Sequence, residues 1–257
     1  MPAFQGFDEN FSLSNRNALV TGAANGIGLA IAKMFARKGA DIIAFDKAED
    51  LSNLEKYVRS TGRNFMAFFG DVRNKTVMQQ AVDAVVARFG RIDILVNCAG
   101  VGLIDSAENL KEDIWDLTMD VNLKAPFILS QIVGRTMIKN GGGKIINIAS
   151  QAGIVALEKH AAYSTAKAGL IMLTKILALE WGKYNIRTNA ISPTVILTEM
   201  AEKAWAGEVG ERFRKLIPAG RFGYPDEVAG CAVFLASDAA NLINGENLVI
   251  DGGYTIT

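Results

Sequence analysis

The stretch NALVTGAANGIG, residues 17–28, determines the fold that we expect for this chain. Its first half is a short apolar run typical of a buried strand, and the periodic run that continues to Lys38 predicts a helix. Glycines between them permit a tight turn and a close approach of backbone to phosphate. Free N–H groups and the dipole at a helix start favour anions, so the loop predicts a dinucleotide diphosphate site, with a plain turn as the alternative. The residues expected to bind the cofactor here are Gly22, Asn25, Gly26, Ile27 and Gly28.

Strand-like and helix-like segments alternate along the rest of the chain. Short apolar runs occupy residues 41–45, 64–69, 94–97, 144–148, 186–190 and 247–250. Longer amphipathic runs separate them, at residues 51–60, 75–89, 112–121, 125–139, 163–184 and 225–236. Continuous apolar strands that alternate with helices indicate a parallel sheet buried on both faces. Right-handed crossovers then predict a single-domain α/β fold, a doubly wound sheet of about seven strands with helices on both faces.

We expect one domain over residues 13–257, preceded by an N-terminal extension at residues 1–12. Phe4, Phe7 and Phe11 predict that the extension packs onto the domain. The start of the chain lacks the basic region and the apolar core of a signal peptide. No uninterrupted apolar run approaches the roughly 20 residues that span a bilayer, so we expect a cytoplasmic protein. The long non-strand insertion at residues 194–220 is a candidate lid.

The composition narrows the classes of partner. Half of the 257 residues are apolar, and the formal net charge is zero. Bulk charge therefore gives no sign of a nucleic-acid partner or an anionic membrane. The two cysteines, Cys98 and Cys231, form no CxxC pattern, and we interpret them as buried thiols. The single histidine excludes a His-rich metal site, and no metal is predicted.

A second motif is Tyr163 followed four residues later by Lys167, in a run that predicts a helix. On a helix such residues lie one above the other on the same face. Lowering the pKa of a tyrosine from about 10 to near 7 takes roughly 4 kcal/mol. One cation at about 4 Å supplies that order of energy at an effective dielectric of roughly 20. Burial opposes the shift, and a second positive charge such as an oxidised nicotinamide would help it. The pair predicts an acid–base tyrosine; a surface tyrosine beside a solvated lysine is the alternative.

Residues at the strand ends extend the predicted site, because ligands bind at the carboxyl ends of the strands in such sheets. Asp46 ends the second strand, where a carboxylate can accept hydrogen bonds from a ribose diol and repel a 2′-phosphate. It favours NAD over NADP, and the neighbouring Lys47 slightly weakens that preference. Further cofactor contacts are expected at Asp71, Val72, Asn97, Ala99 and Gly100, each of which also fits an ordinary strand exit.

Together these motifs resemble the short-chain dehydrogenase/reductase family over nearly the whole chain. The pieces follow the family's order: TGxxxGIG at 21–28, Asp46, Asp71-Val72, NxAG at 97–100, Asn122, Ser150 and YxxxK at 163–167. The resemblance implies a Rossmann-type domain, a nicotinamide cofactor, an alcohol–carbonyl redox reaction and a homotetramer. It also implies catalytic roles. Tyr163 matches the acid/base, Lys167 the residue that lowers its pKa and holds the nicotinamide ribose, Ser150 the partner of the reacting oxygen, and Asn122 the holder of a relay water.

The chain departs from the family pattern in one place. The family commonly has Pro-Gly after the sixth strand, whereas this chain has Pro193-Thr194. The pattern that follows otherwise fits, with Pro193, Ile196 and Thr198 expected to contact the cofactor near its carboxamide. Pro-Thr also occurs in members that resemble xylulose reductases and polyol dehydrogenases.

Three further residues match the xylulose-reductase-like and polyol-dehydrogenase-like members of the family, and they are candidates for binding the substrate. Gln151 and His160 could hydrogen-bond hydroxyl groups beside Ser150 and Tyr163, and Trp205 could cover a sugar-like carbon chain. Each has a structural alternative: Gln151 as a loop residue, His160 as an interior or interface residue, and Trp205 as a packing residue. The hypothesis is an NAD-dependent dehydrogenase that interconverts a small polyol, of the D-threitol type, and a ketose. The alternatives are an NADPH-dependent 3-oxoacyl thioester reductase and a catalytically silent NAD-binding regulatory protein.

Overall fold

A seven-stranded parallel sheet runs through the centre of the protein. The computed structural model describes residues 7–257, except for the side chains at positions 7, 200, 203 and 204. The strands are β1 Asn17–Thr21, β2 Asp41–Asp46, β3 Phe65–Phe69, β4 Ile94–Asn97, β5 Gly143–Ile148, β6 Ile186–Pro193 and β7 Asn247–Ile250. Their order is β3-β2-β1-β4-β5-β6-β7, and every pairing is parallel. The order reverses between β1 and β4, which is where such sheets open a crevice for ligands.

Helices cover both faces of this sheet, as predicted. They are α1 Phe7–Asn10, α2 Gly26–Arg37, α3 Ser52–Ser60, α4 Lys75–Phe89, α5 Glu112–Met119, α6 Ala125–Lys139, α7 Ala161–Trp181, α8 Glu199–Ala204, α9 Gly207–Arg214 and α10 Pro225–Ala236. Alternate residues of the central strands enter two separate cores. Val20 lies in the core under α2 and α10, whereas its neighbour Leu19 lies in the core under α4 and α6. The doubly wound parallel sheet is therefore confirmed.

The structure contains features that the hydrophobic periodicity of the sequence did not predict. A π-helical turn, Asp120–Lys124, joins α5 to α6, and β6 continues to Pro193, past the predicted end at residue 190. The insertion at 194–220 contains the short helices α8 and α9. In the N-terminal segment, Phe11 stacks on Phe234 of α10 with ring centroids 6.0 Å apart. Phe4 and the side chain of Phe7 lie outside the described residues.

Helix α7 is unusually apolar for its length. Together with the 3-10 turn Gly182–Tyr184 it is the one described helix long and apolar enough to cross a membrane by length and composition. The core helix of a water-soluble enzyme meets the same criteria. Here α7 packs against β6 and the turn Gln151–Gly153. It therefore holds the Tyr163–Lys167 motif against the carboxyl end of the sheet.

Candidate active site

The glycine loop between β1 and α2 is too tightly packed for side chains. A Cβ on Gly22 would lie 2.9 Å from the Cα of Ala99, and one on Gly28 would lie 2.1 Å from the Gly22 carbonyl oxygen. Gly22 and Gly26 also have positive φ angles, of 67° and 53°. Among the described residues, no side chain caps the first turn of α2, in contrast to α4, which Asn74 caps. The N–H groups at the start of α2 can therefore meet an anion.

Asp46 is buried and holds this loop in place. Its Oδ2 accepts a hydrogen bond from the Ala24 N–H and its Oδ1 accepts one from the Ala48 N–H, both at 2.9 Å. Each carboxylate oxygen has a further lone pair, so the group can still accept from a ribose diol. The carboxylate thus shapes the loop and also leaves a negative charge where a 2′-phosphate would have to fit.

Thr21 joins β1 to the end of β4, a role that the sequence reasoning missed. Its Oγ1 accepts from the N–H groups of Cys98 and Ala99, at 3.0 and 3.1 Å, and donates to the Val96 carbonyl. The available signal was its position directly before the first glycine of the loop. This hydroxyl brings the Ala99 backbone against Gly22, which explains the 2.9 Å contact that a Gly22 Cβ would make.

Three of the residues predicted at the neighbouring strand ends share one cleft. Val72, Asn97 and Ala99 line a small cavity together with Thr21, Val121, Ala125, Pro126 and Leu129. The Asn97 side chain itself turns inward, where it donates to Ser130 Oγ at 3.0 Å and to Asn147 Oδ1 at 2.8 Å. The amide N–H groups of this side chain are therefore engaged inside the protein. Asp71 pairs with Arg73 at 2.6 Å, and that hydrogen bond lowers the pKa of the Asp71 carboxyl.

Asn122 lies in the π turn, fully buried, beside Gly100. Its Oδ1 accepts from the Val101 N–H at 3.1 Å and its Nδ2 donates to the Val101 carbonyl at 2.8 Å. The side chain is therefore used to hold the β4 exit loop. A Cβ on Gly100 would lie 2.8 Å from Asn122 Oδ1, so this approach requires glycine.

Ser150, Tyr163 and Lys167 come together at the ends of β5 and α7. The Ser150 hydroxyl lies beside the Tyr163 hydroxyl and favours the deprotonated form of the tyrosine. Lys167 is buried, with its Nζ 5.7 Å from the centre of the Tyr163 ring, and it donates to the Ile148 carbonyl at 2.7 Å. Burial lowers the pKa of Lys167 to about 8. Helical spacing on α7 and the exit of β5 thus produce the predicted cluster.

In the protein alone, burial governs the pKa of Tyr163. Burial raises the pKa of Tyr163, and the neighbouring Ser150 hydroxyl only partly opposes this. Lys167 is itself desolvated and engaged with a backbone carbonyl, and its charge does not offset the burial. The nearby Cys98 thiol is also buried, which raises its pKa to about 12 and leaves it uncharged. Lowering the pKa of the tyrosine therefore requires the second positive charge considered above.

The segment after β6 crosses over the glycine loop. Pro193 pairs with Ile250 of β7, and Ile196 is buried and bridges to Gly223. Thr198 accepts from the Ala201 N–H at 3.2 Å and so caps α8. Its methyl carbon would lie 3.0 Å from a Cβ on Gly26. This contact brings the predicted carboxamide-binding segment and the diphosphate loop to one cleft.

The three predicted substrate residues have different surroundings. Gln151 is buried beside Ser150, and His160 meets the Tyr163 ring edge-on with centroids 6.0 Å apart. The His160 Nδ1 hydrogen-bonds the Glu158 carbonyl at 2.6 Å. Trp205 packs in an aromatic cluster with Phe213 and Phe222, at 4.8 and 5.9 Å. None of the described ring contacts joins Trp205 to the other site residues, so packing within the insertion accounts for its position.

Comparison with known proteins agrees with this geometry. Residues 22–255 match a family model described as enoyl-(acyl carrier protein) reductase. An NAD-dependent glycerol dehydrogenase from Listeria innocua is 53% identical over 253 residues, which cover 98% of this chain and 99% of that protein. The chain belongs to the short-chain dehydrogenase/reductase family. A D-threitol dehydrogenase from Mycolicibacterium smegmatis is 52% identical, over 97% of this chain and 96% of its own length.

Among solved structures, a gluconate 5-dehydrogenase from Burkholderia cenocepacia, in complex with NADP and tartrate, superposes with a TM-score of 0.92. It is 37% identical and the match covers 97% of this chain and 99% of that one. The residues of the present chain also fit a nicotinamide dinucleotide on their own geometry. The glycine cradle excludes side chains, the start of α2 has no side-chain cap, and Asp46 lies beside both. NAD is thus the cofactor of this short-chain dehydrogenase/reductase.

Proposed function

We propose that this enzyme oxidises a secondary hydroxyl of a small polyol to the corresponding ketose with NAD, and catalyses the reverse reaction. The observation that carries the proposal is the convergence of the Tyr163 and Ser150 hydroxyl groups, next to the buried Lys167. Two hydroxyl groups that converge in this way can bind one alcohol oxygen. The relatives named for polyol substrates are the reason for placing the substrate in that class.

In the proposed reaction, bound NAD supplies the hydride acceptor. Ser150 and Tyr163 hold the reacting oxygen, and Tyr163 removes its proton as the carbonyl forms. In the reverse direction the same two groups donate hydrogen bonds to the developing alkoxide. Lys167 holds the nicotinamide ribose, and Asn122 fixes the loop at Gly100 beside it. Gln151 and His160 bind the remaining hydroxyl groups.

A tyrosine substitution tests the mechanism. Tyr163→Phe keeps the ring and removes the acid–base group, so we expect turnover of D-threitol with NAD to fall about 10²- to 10⁴-fold. Binding of NADH, followed by its fluorescence, should remain. Tyr184→Phe, at an exposed tyrosine after α7, is the matched control and should retain full turnover. Near-wild-type turnover of Tyr163→Phe would defeat the proposal.

Two alternatives are separated by the same assays. A 3-oxoacyl thioester reductase would prefer NADPH with acetoacetyl thioesters. The carboxylate of Asp46 argues against that cofactor. A silent regulatory protein would bind NADH tightly and turn over none of a panel of alcohols. Threitol, erythrulose, xylitol and an acetoacetyl thioester, each with both cofactors, distinguish the three functions.

We also propose a cytoplasmic homotetramer in which residues 194–220 act as a lid. A groove of about 400 Å³ lies between α6 and α7, with Phe127, Leu173 and Ile176 in its wall. Arg135 and Glu180 lie at the same groove. In a twofold contact each surface meets its own copy, so the arginine of one subunit can approach the glutamate of the other. Aromatic packing of Trp205 on Phe213 joins the end of α8 to α9 within the insertion.

A further inference from the structure

Two of the buried side-chain oxygens that have no hydrogen-bond partner among the described residues belong to residues shortly after the ends of β5 and β6. They are Oε1 of Gln151 and Oγ1 of Thr194. Gln151 is 3% exposed and Thr194 is 9% exposed. Buried polar groups are nearly always paired, and an unpaired one calls for an explanation. Both residues lie next to parts of the site, Gln151 after Ser150 and Thr194 after Pro193.

The two residues follow neighbouring strands at the carboxyl end of the sheet. Ile148 of β5 pairs with Ile191 of β6, and the Ala149 N–H donates to the Ile191 carbonyl at 2.8 Å. Gln151 begins the turn that follows β5, and Thr194 directly follows the end of β6. The turn that begins at Gln151 packs against β6. Both residues therefore lie at the end of the sheet that carries Ser150.

We propose that Thr194 is a substrate-binding residue that, with Gln151, holds the hydroxyl group on the carbon next to the reacting carbon. A hydroxyl of the substrate can donate to Gln151 Oε1 and accept from the Thr194 hydroxyl, which pairs both groups. Glycine at this position, the common family residue, could not make the second bond. The inference rests on the proposed function, and it makes the enzyme selective for vicinal diols over simple secondary alcohols.

The chain offers a matched control on the same strand. Thr188 of β6 is also buried with an unpartnered Oγ1, but it pairs with Ile145, in the middle of β5 and away from the catalytic edge. Thr188→Val and Thr194→Val make the same chemical change in the same strand. Thr194→Ser keeps the hydroxyl and removes only a methyl group. Thr194→Gly replaces Thr194→Val if the valine variant does not fold.

The experiment compares 2,3-butanediol with 2-butanol, which lacks only the vicinal hydroxyl. Each is followed with saturating NAD, and 2-butanol is measured as a competitive inhibitor if its turnover is undetectable. We expect Thr194→Val to weaken use of the diol about three- to tenfold, mainly through KM, with 2-butanol unchanged. Thr194→Ser and Thr188→Val should stay within about twofold of wild type, and all variants should bind NADH equally.

Three results would overturn the inference alone: an unchanged diol preference in Thr194→Val, an equal loss for both alcohols, or a matching loss of NADH binding. The last two would assign Thr194 to packing or to the cofactor. If the wild-type enzyme oxidises no diol or polyol at all, the proposed function fails and this inference fails with it. If the wild-type enzyme oxidises diols and the Thr194 variants do so equally well, the inference fails and the proposed function stands.

Discussion

At the carboxyl end of the sheet, the space beside Gly100 is too small for one additional carbon atom. A Cβ at Gly100 would lie 2.8 Å from Asn122 Oδ1, which is already bonded to the Val101 N–H. We expect Gly100→Ala to displace Asn122 and to lower kcat/KM for the polyol about 10- to 100-fold. Gly102→Ala is the control, because nothing lies within 4 Å of a Cβ there. Equal kinetics of the two alanine variants in steady-state assays would contradict this account.

The pKa of Tyr163 gives a prediction about pH. Since burial raises it, the free enzyme holds the phenol proton at neutral pH. Oxidation needs the deprotonated tyrosine, so its kcat/KM should rise as the pH increases from 7 towards 9, whereas kcat/KM of reduction, which needs the protonated form, should stay nearly constant. Lys167, with a pKa of about 8, loses its charge over the same range and limits the rise. Profiles in both directions test this, and an oxidation rate that falls from pH 7 to 9 would refute it.

Residue patterns in the sequence predicted which side chains lie close together at the site. Their pKa values and hydrogen-bond partners depend on burial, which the patterns do not show. Helical spacing was enough to put Tyr163 above Lys167. It could not show that both are desolvated, which reverses the expected direction of the tyrosine pKa. In the same way, the motif positions of Asn97 and Asn122 were visible, but their side chains are used by internal partners that lie far away in sequence.

At the scale of elements, hydrophobic periodicity predicted where several helices and strands begin and end. The bounds of α4, α6, α10, β4 and β7 agree with the sequence pattern. It missed the π turn between α5 and α6, because one inserted residue scarcely alters an amphipathic pattern. It also ended β6 too early, since Ser192 and Pro193 are poor strand formers that pairing with β7 holds in place.

Helix α7 is fixed to the sheet by a buried polar chain, which gives an element-scale prediction. Asn97 donates to Asn147, and Asn147 donates to Thr174 Oγ1 at 2.9 Å. Thr174→Val leaves the Asn147 amide without that acceptor, and we expect unfolding free energy to fall by about 1–3 kcal/mol. Thr136→Val, whose hydroxyl bonds only the Val133 carbonyl of its own helix, is the control. Equal melting temperatures of both variants, measured at one protein concentration, would contradict the prediction.

On the scale of the whole molecule, two separate apolar surfaces remain uncovered. Met172, Ile176 and Leu179 form an exposed stripe on α7 at helical spacing, and Leu179 is 85% exposed. The second surface lies at the β7 edge of the sheet, where Leu242 and Ile256 are 90% and 87% exposed. Large exposed apolar patches mark interaction sites. The proposed homotetramer would use both surfaces, because two twofold contacts on one chain give a tetramer with three twofold axes.

This arrangement predicts a stepwise dissociation. Wild-type protein should have the mass of four chains of 27.6 kDa by light scattering. Leu179→Glu places a charge in one twofold contact and Leu242→Glu in the other, so each should give dimers, and the double variant should give single chains. Val209→Glu, at an exposed residue of α9 outside both surfaces, should remain tetrameric. A wild-type mass of one chain, or dissociation of all three single variants alike, would show that these surfaces are not the interfaces.

Since α7 carries Tyr163 and Lys167 on its other side, the Leu179→Glu dimers should also lose part of their turnover, whereas the Leu242→Glu dimers should not.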